Sequence, residues 1–293
     1  MNITIKQLKV FLSIVNHGNM TAAADAINMT KGALSQSLAE LETQLGEPIF
    51  DRRNSRLYLN PAGTTLIPLA DEILSRMKFI EDEFSHHQST PKITIGCTKS
   101  IGSFFLPNVL QQFETQYHWL PEIIIENVHS IQELLNRFEL DIALLESSAI
   151  DSSLQHEFWL KDEMIVVASI QHPLAQLKSV TYEQLNKERW ILREANSASR
   201  KFFDHQLAIH FHQPFEQLIL NSFDAILLSV FNQLGITFVS KACLDNPFYK
   251  DLLVQLNIED QYFRNFNIVY SKEKYLSPPI QQFIQFIQSH KLI

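Results

Sequence analysis

The chain has 293 residues, 45% of them hydrophobic and 11% aromatic. That is about two domains' worth at roughly 150 residues each, and it excludes disorder and fibrous repeats. With 24 basic side chains against 32 acidic ones the net charge is −8, which argues against a protein that coats nucleic acid or membranes nonspecifically. No apolar run approaches the roughly 18 residues of a bilayer span. The start, Met1-Asn2-Ile3-Thr4-Ile5-Lys6, lacks the charged-then-apolar pattern of an export signal, so the expectation is a cytoplasmic chain with no membrane partner. Cys97 and Cys243 lie far apart and without CxxC spacing, which predicts reduced thiols, no disulfide framework and no zinc site.

The charges are unevenly placed. Residues 1–67 carry Lys6, Lys9, Lys31, Arg52, Arg53 and Arg56 against Asp25, Glu40, Glu42, Glu47 and Asp51, while 68–90 carry Arg76 and Lys78 against five acids. The opening segment is therefore close to neutral inside an acidic chain.

Leu8, Phe11, Leu12 and Val15 recur at three- and four-residue intervals, the spacing of an amphipathic helix that Gly18 stops. Asn19 can cap a short second helix through Ala22, Ala23, Ala24 and Ile27, and Asn28-Met29-Thr30 turns into a third, capped by Thr30. The third helix has a buried stripe of Leu34, Leu38, Leu41 and Leu45 and ends at Gly46. Two short helices joined this way are a helix-turn-helix candidate. The basic run Asp51-Arg52-Arg53-Asn54-Ser55-Arg56, leading into Leu57-Tyr58-Leu59, predicts a small β-wing.

Asn60-Pro61 opens a further helix with apolar positions at Leu66, Leu69 or Ala70, Ile73, Met77, Ile80 and Phe84, a spacing suited to dimerisation. Pro68 removes one backbone hydrogen bond and is expected to bend that helix near its start. His86 to Pro91 reads as a linker. From Lys92 onward short apolar runs alternate with helical stretches: Ile93–Ile95, Ile123–Ile125, Ile142–Leu145, Met164–Ala168, Gln217–Leu220, Ile236–Val239 and Phe266–Tyr270. That alternation predicts an α/β domain with a largely parallel sheet.

Several motifs occur in order: Leu8-x-x-Phe11, Thr21-Ala22-Ala23, Ala33-Leu34-Ser35-Gln36-Ser37-Leu38, Leu41-Glu42, Leu45-Gly46-x-Pro48-Ile49-Phe50-x-Arg52 and Leu59-Asn60-x-x-Gly63. Together they closely resemble the N-terminal signature of LysR-type transcriptional regulators, and the rest of the chain is similar to that family's effector domain. Met29-Thr30-Lys31-Gly32 departs from the family's common Val-Ser-Gln-Pro or Val-Ser-Gln-Ser. The resemblance implies an α+β multidomain protein: a winged helix-turn-helix over 1–60, a linker and dimerisation helix with hinge over 61–90, and a two-lobed, periplasmic-binding-protein-like domain over 91–293. Lobe 1 would take about 91–160 and 267–293, and lobe 2 about 161–266. It further implies a homodimer or homotetramer, an interrupted palindrome of double-stranded promoter DNA as partner, and a small-molecule effector, with no enzyme activity, cofactor or metal.

A helix N-terminus presents free N–H groups to phosphate, and side chains of its first two turns reach base edges in the major groove. Lys31, Gly32, Ser35 and Gln36 hold those positions, with Thr21 on the preceding helix. Gln36 can bridge adenine N6 and N7, and Arg52, Arg53 and Arg56 on the wing suit phosphate or the minor groove. A solvated charged turn is the competing reading for any one arginine.

In the second domain the segments after strands would line a cleft between lobes: Thr98, Lys99 and Ser100; Asn127 to Ser130 with His129; Arg193 to Arg200 with Ser197, Ser199 and Arg200; and Asn221-Ser222. Hydroxyls and helix starts favour a small anion. Leu192 to Arg200 looks like a variant of a Gly-Ser-Gly-Thr-Arg motif in a branch of the family that includes regulators of sulfur metabolism, which implies a sulfur oxyanion or a small carboxylate. Competing structural readings stand beside these residues. Thr98, Ser100 and Ser199 can cap helices, Arg200 can pair with Glu194 or Asp204, His129 can be a solvated loop histidine, and Cys97 can be a buried filler rather than a redox sensor. Two other function classes remain: a cytosolic small-anion-binding protein, or an enzyme on a two-lobed fold. Against the enzyme, the sequence has no nucleophile elbow, Walker loop or dinucleotide fingerprint.

Overall fold

The computed structural model describes residues 2–53, 56–84, 90–146 and 150–289. The predicted linker at His86 to Gln88 and Ser89 lies outside the described residues.

The N-terminal unit forms from strong local signals. Helix α1 (Ile5–His17) starts on a reciprocal cap, Thr4 accepting from the Gln7 N–H while the Gln7 side chain accepts from the Thr4 N–H, and ends at Gly18 in the left-handed conformation with φ 67°. Asn19 caps α2 (Met20–Ala26) and Thr30 caps α3 (Lys31–Leu45), which ends at Gly46 with φ 84°. Strands β1 (Phe50–Arg53) and β2 (Arg56–Leu59) pair antiparallel as the wing. Asn60 then accepts from the Gly63 N–H at 2.9 Å and opens α4 (Pro61–Phe84), which continues through Pro68. Phe11, Ile14, Leu34, Leu38, Leu41, Ile49 and Phe50 share one core with Ile67 and Ala70 of α4, so the N-terminal half of the long helix packs into this unit.

The second domain contains β3 (Thr94–Cys97), α5 (Lys99–Phe104), α6 (Leu106–Tyr117), β4 (Glu122–Ile125), α7 (Val128–Asn136), β5 (Ile142–Glu146), β6 (Leu154–Ser169), α8 (Tyr182–Asn186), β7 (Trp190–Leu192), α9 (Ala198–Gln206), β8 (Gln217–Ile219), α10 (Phe223–Phe231), β9 (Thr237–Ser240), β10 (Leu253–Gln255), β11 (Tyr262–Ser271) and α11 (Pro278–Ser289). The expected largely parallel sheet is corrected to a mixed one. β4, β3 and β5 are parallel to one another, as are β7 and β8, but β6 is antiparallel to β9, β10 and β11, and β11 is antiparallel to β5. The cause is β6, 16 residues long, of which only the apolar stretch after Met164 is evident from hydropathy. Its first half pairs with β11 from Asn267 to Ser271 and its second with β11 from Tyr262 to Phe266, with a register shift between Phe266 and Asn267. These two strands pass from one lobe into the other, and an antiparallel pair can do so without the crossover helix that parallel strands require.

Each lobe has its own core. Phe113, Phe266, Phe283 and Phe286 cluster in lobe 1, and Trp190, Phe203 and Phe238 in lobe 2. The N-terminal unit meets lobe 1 at a buried joint, where Lys274 Nζ lies 3.0 Å from Asp71 Oδ2 of α4 and 2.9 Å from Asp141 Oδ1. Phe138 packs against the N-terminal core beside it.

The contact between wing and α4 has no slack. A Cβ on Gly63 would stand 2.3 Å from the Ile49 carbonyl oxygen, so Gly63→Ala should force the helix off the wing and cost about 1–3 kcal/mol. Thermal unfolding checks it: the melting temperature should fall, and a variant as stable as the parent would show that the wing yields freely.

Candidate functional site

Two surfaces carry functional side chains. On the first, α3 turns Leu34, Leu38 and Leu41 into the core and leaves Lys31, Gly32 and Gln36 exposed and Ser35 half-buried, with Thr21 exposed on α2. The α3 amide groups not held by Thr30 open onto the same face. Gln36 Nε2 donates to Glu40 Oε1 at 3.0 Å, an exposed bond that a base edge can replace. Arg52 is exposed on β1. The side chains of Arg53 and Arg56 lie outside the described residues.

The second surface is the cleft between the lobes. A cavity of about 80 Å³ is lined by Thr98, Lys99 and Ser100 after β3, Glu126, Asn127 and Val128 after β4, Glu146 ending β5, Arg193 and Glu194 after β7, and Ser197, Ala198 and Ser199 opening α9. It adjoins a larger one of about 470 Å³, which shares Val128, Glu146 and Ala198 and adds Phe202, Phe263, Arg264, Lys161, Lys201 and His205 among its walls.

Polar side chains in the cleft fall into two groups. Asn127 and Ser197 cap helices, accepting from the Ser130 N–H at 3.0 Å and the Arg200 N–H at 3.1 Å. Thr98 stands at the start of α5 without a capping bond, and its buried Oγ1 finds no partner among the described residues. Ser100 and Ser199 hydrogen-bond to each other across the cleft at 3.0 Å. Arg264 Nη1 donates to Ser199 Oγ at 3.3 Å and to Glu146 Oε1 at 3.4 Å, while its Nε donates to Asp162 Oδ2 at 2.8 Å. Burial raises the Asp162 carboxyl above its usual range against the opposing pull of Arg264. Arg193 is buried, donates two hydrogen bonds to the Glu194 carboxylate, from Nε at 2.8 Å and Nη2 at 2.7 Å, and stands over the Phe223 ring; that hydrogen bonding holds the Glu194 carboxyl below its usual range. Lys99 Nζ reaches the Asn221 carbonyl oxygen at 3.4 Å.

Sequence-derived candidates divide accordingly. Thr98, Lys99, Ser100, Asn127, Ser197 and Ser199 come together in the cleft. Arg200 and His129 do not line it: Arg200 Nε bonds Asp204 at 2.9 Å along its own helix, and exposed His129 pairs with Glu133 at 3.4 Å. Arg193, which opens the segment expected at the cleft, lines it beside Lys99, whereas Arg264 and Glu146 are not among the sequence-derived candidates. Glu146 leaves a signal, a single charge ending the fully buried strand Ile142–Leu145. Arg264 leaves none, because its partner Asp162 is 102 residues away. Among the described residues no group of three or more His, Cys, Asp and Glu could hold a metal ion, and no helix is long and apolar enough to cross a membrane.

Comparison with known proteins fits this geometry. The family description "Bacterial regulatory helix-turn-helix protein, lysR family" matches residues 5–64, and "LysR substrate binding domain" matches 86–291. The HTH-type transcriptional regulator YeiE of Escherichia coli K12 is 30% identical over 288 residues, covering 98% of this chain and 97% of that one. Among solved structures, a full-length OxyR point variant from Pseudomonas aeruginosa has a TM-score of 0.74 at 18% identity, over 98% of this chain and 94% of that one. The Synechocystis PCC6803 CcmR regulatory domain in complex with 2-PG has a TM-score of 0.61 at 21% identity, over 68% and 96%.

Both thiols are buried, and burial foremost pushes Cys97 and Cys243 up to about 12. Since the thiolate is the reactive form, native protein at pH 8 should resist a thiol reagent over minutes and take up two equivalents only after denaturation. Fast labelling of the native chain would contradict that burial and restore Cys97 as a redox candidate.

Proposed function

Because the chain belongs to the LysR family of bacterial regulatory helix-turn-helix proteins, a family of transcriptional regulators and not of enzymes, we propose that it acts in the cytoplasm on an interrupted palindrome of promoter DNA. In this reading an anionic small molecule held between the lobes modulates it. The observation that carries the DNA half is the exposed face at the start of α3, where Lys31, Gly32, Ser35 and Gln36 stand beside helix N–H groups.

Two-fold association supports the palindrome. Leu69, Ile73, Ile80 and Phe84 form an exposed apolar stripe along α4, with Phe84 78% exposed, and a second α4 is the natural cover for such a seam. Recognition helices of a dimer then sit about 34 Å apart on one face of DNA. Exposed Leu228 on α10 and Ile125 and Ile219 at strand ends offer apolar surface for pairing dimers into a tetramer. The domain division carried by this reading is 1–60, 61–90 and 91–293, the last split into lobes near 160 and 267.

Support for an anion comes from the N-termini of α7 and α9, the hydroxyls of Thr98, Ser100 and Ser199, and the cations Lys99, Arg193 and Arg264 around one cleft. A ligand touching both lobes shifts the regulator only as far as it prefers one arrangement of lobes or subunits.

Footprinting the purified full chain on DNA upstream of its own gene, titrated with salt and small anions, tests both halves. Protected paired half-sites whose extent one anion alters are expected; no protection at low salt would refute the reading. Gln36→Ala should weaken specific binding by ~1–3 kcal/mol and leave random-sequence binding nearly unchanged, whereas equal losses on both DNAs would remove its base-reading role. Arg52→Ala should weaken both and lower the salt slope by about one; a slope equal to the parent's would make it a solvated wing arginine.

A further inference from the structure

The floor of the cleft holds a donor and an acceptor that the protein leaves unused. Glu146 Oε2 and Arg264 Nη2 are buried and have no hydrogen-bond partner among the described residues, although the two side chains meet through their other atoms at 3.4 Å. Thr98 Oγ1 is a third such atom, on the smaller cavity. Buried polar atoms are nearly always paired, since leaving one unpaired costs about 1–3 kcal/mol. Three around one cleft point to a ligand that supplies the partners.

Their signs restrict that ligand. Two buried carboxylates, Glu146 and Asp162, share the guanidinium of Arg264, and Glu146 keeps one oxygen without a hydrogen-bond partner among the described residues. A bare oxyanion there satisfies Arg264 Nη2 and Thr98 Oγ1 but leaves Glu146 Oε2 facing a like charge. An ammonium group beside the anionic head pairs that oxygen. Size agrees. The cavity of about 80 Å³ at Thr98, Ser100 and Ser199 takes a headgroup. The adjoining one of about 470 Å³, lined by Phe202 and Phe263, falls within the ~300–1,000 Å³ usual for organic ligands, and Glu146 lines both.

We infer that the effector is an α-amino acid, with its carboxylate among Thr98, Ser100, Ser199 and Arg264, its ammonium group on Glu146, and its side chain in the cavity lined by Phe202 and Phe263. This deepens, and rests on, the reading of the cleft as the effector site.

Calorimetric titration of the full chain with each of the twenty L-amino acids tests it. The panel includes the deaminated carboxylic acid of every binder, together with sulfate and phosphate. The expected result is an amino acid that binds at least tenfold tighter than its deaminated counterpart, with Glu146→Gln abolishing that ratio by weakening the amino acid while the deaminated acid binds the variant at least as tightly as the parent. The ratio on the parent protein decides the matter even where Glu146→Gln fails to fold. A carboxylate or oxyanion that binds as tightly as any amino acid overturns the inference and leaves the anion reading standing. A ratio that survives Glu146→Gln in a folded variant overturns it as well. If neither amino acids nor anions bind, both readings fall.

Discussion

The buried guanidinium of Arg264 fixes the geometry on which the effector domain depends. Its Nε is held by Asp162 on β6, Asp162 is held in turn by Ser240 at 2.6 Å on β9, and its Nη1 reaches Glu146 at the end of β5 and Ser199 on α9. One side chain therefore ties the crossing strand pair to β5 of lobe 1 and α9 of lobe 2. Desolvating these charges is expensive, and an apolar trio of similar volume would stabilise the fold at least as well. What the ionic cluster supplies is a set of directed, charge-assisted bonds, and one orientation of the lobes satisfies them all.

A second buried cluster ties the DNA-binding unit to this domain. Lys274 follows β11 directly, and its ammonium group lies between Asp71 of α4 and Asp141 before β5. Burial alone would lower the pKa of Lys274, but Asp141 and Asp71 together reverse that, so it stays protonated. Arg76 adds a cation–π contact to Tyr275. The segment that ends the crossing strand is thus the segment that grips the long helix. Arg264 and Lys274 sit ten residues apart at the two ends of β11's path, one in the cleft and one at the joint. The strand β11 connects the two sites.

Legibility from the sequence follows the range of the forces involved. Caps at Asn19 and Thr30, stops at Gly18 and Gly46, and the α3 stripe are set by neighbours three or four residues away, and the structure has each where hydropathy and capping rules place it. The polar residues after β3, β4 and β7 were legible for a related reason, since strand ends in such sheets open onto the cleft. Sheet direction was not legible. Alternation of strand and helix is shared by parallel and mixed sheets, and the first half of β6, Leu154-Gln155-His156-Glu157-Phe158, has too many polar residues to read as a strand in isolation. Its partner strand lies more than a hundred residues downstream. Arg264 was hidden by the same separation, and Arg200 was favoured by a motif although Asp204, one turn away, already holds it.

In the proposed effector reading, the two serines at the cleft are the point at which a ligand would act. Ser100 belongs to lobe 1 and Ser199 to lobe 2, and they bond to each other at 3.0 Å while Arg264 donates to Ser199. A ligand headgroup at that point competes with a bond that already holds the lobes together. Under the proposed reading, bonds from the headgroup to Arg264 and the hydroxyls would replace one contact between neutral groups by charge-assisted ones. An effector needs such a preference, because a molecule that fitted the serine-bonded arrangement and every other equally would occupy the site and change nothing downstream.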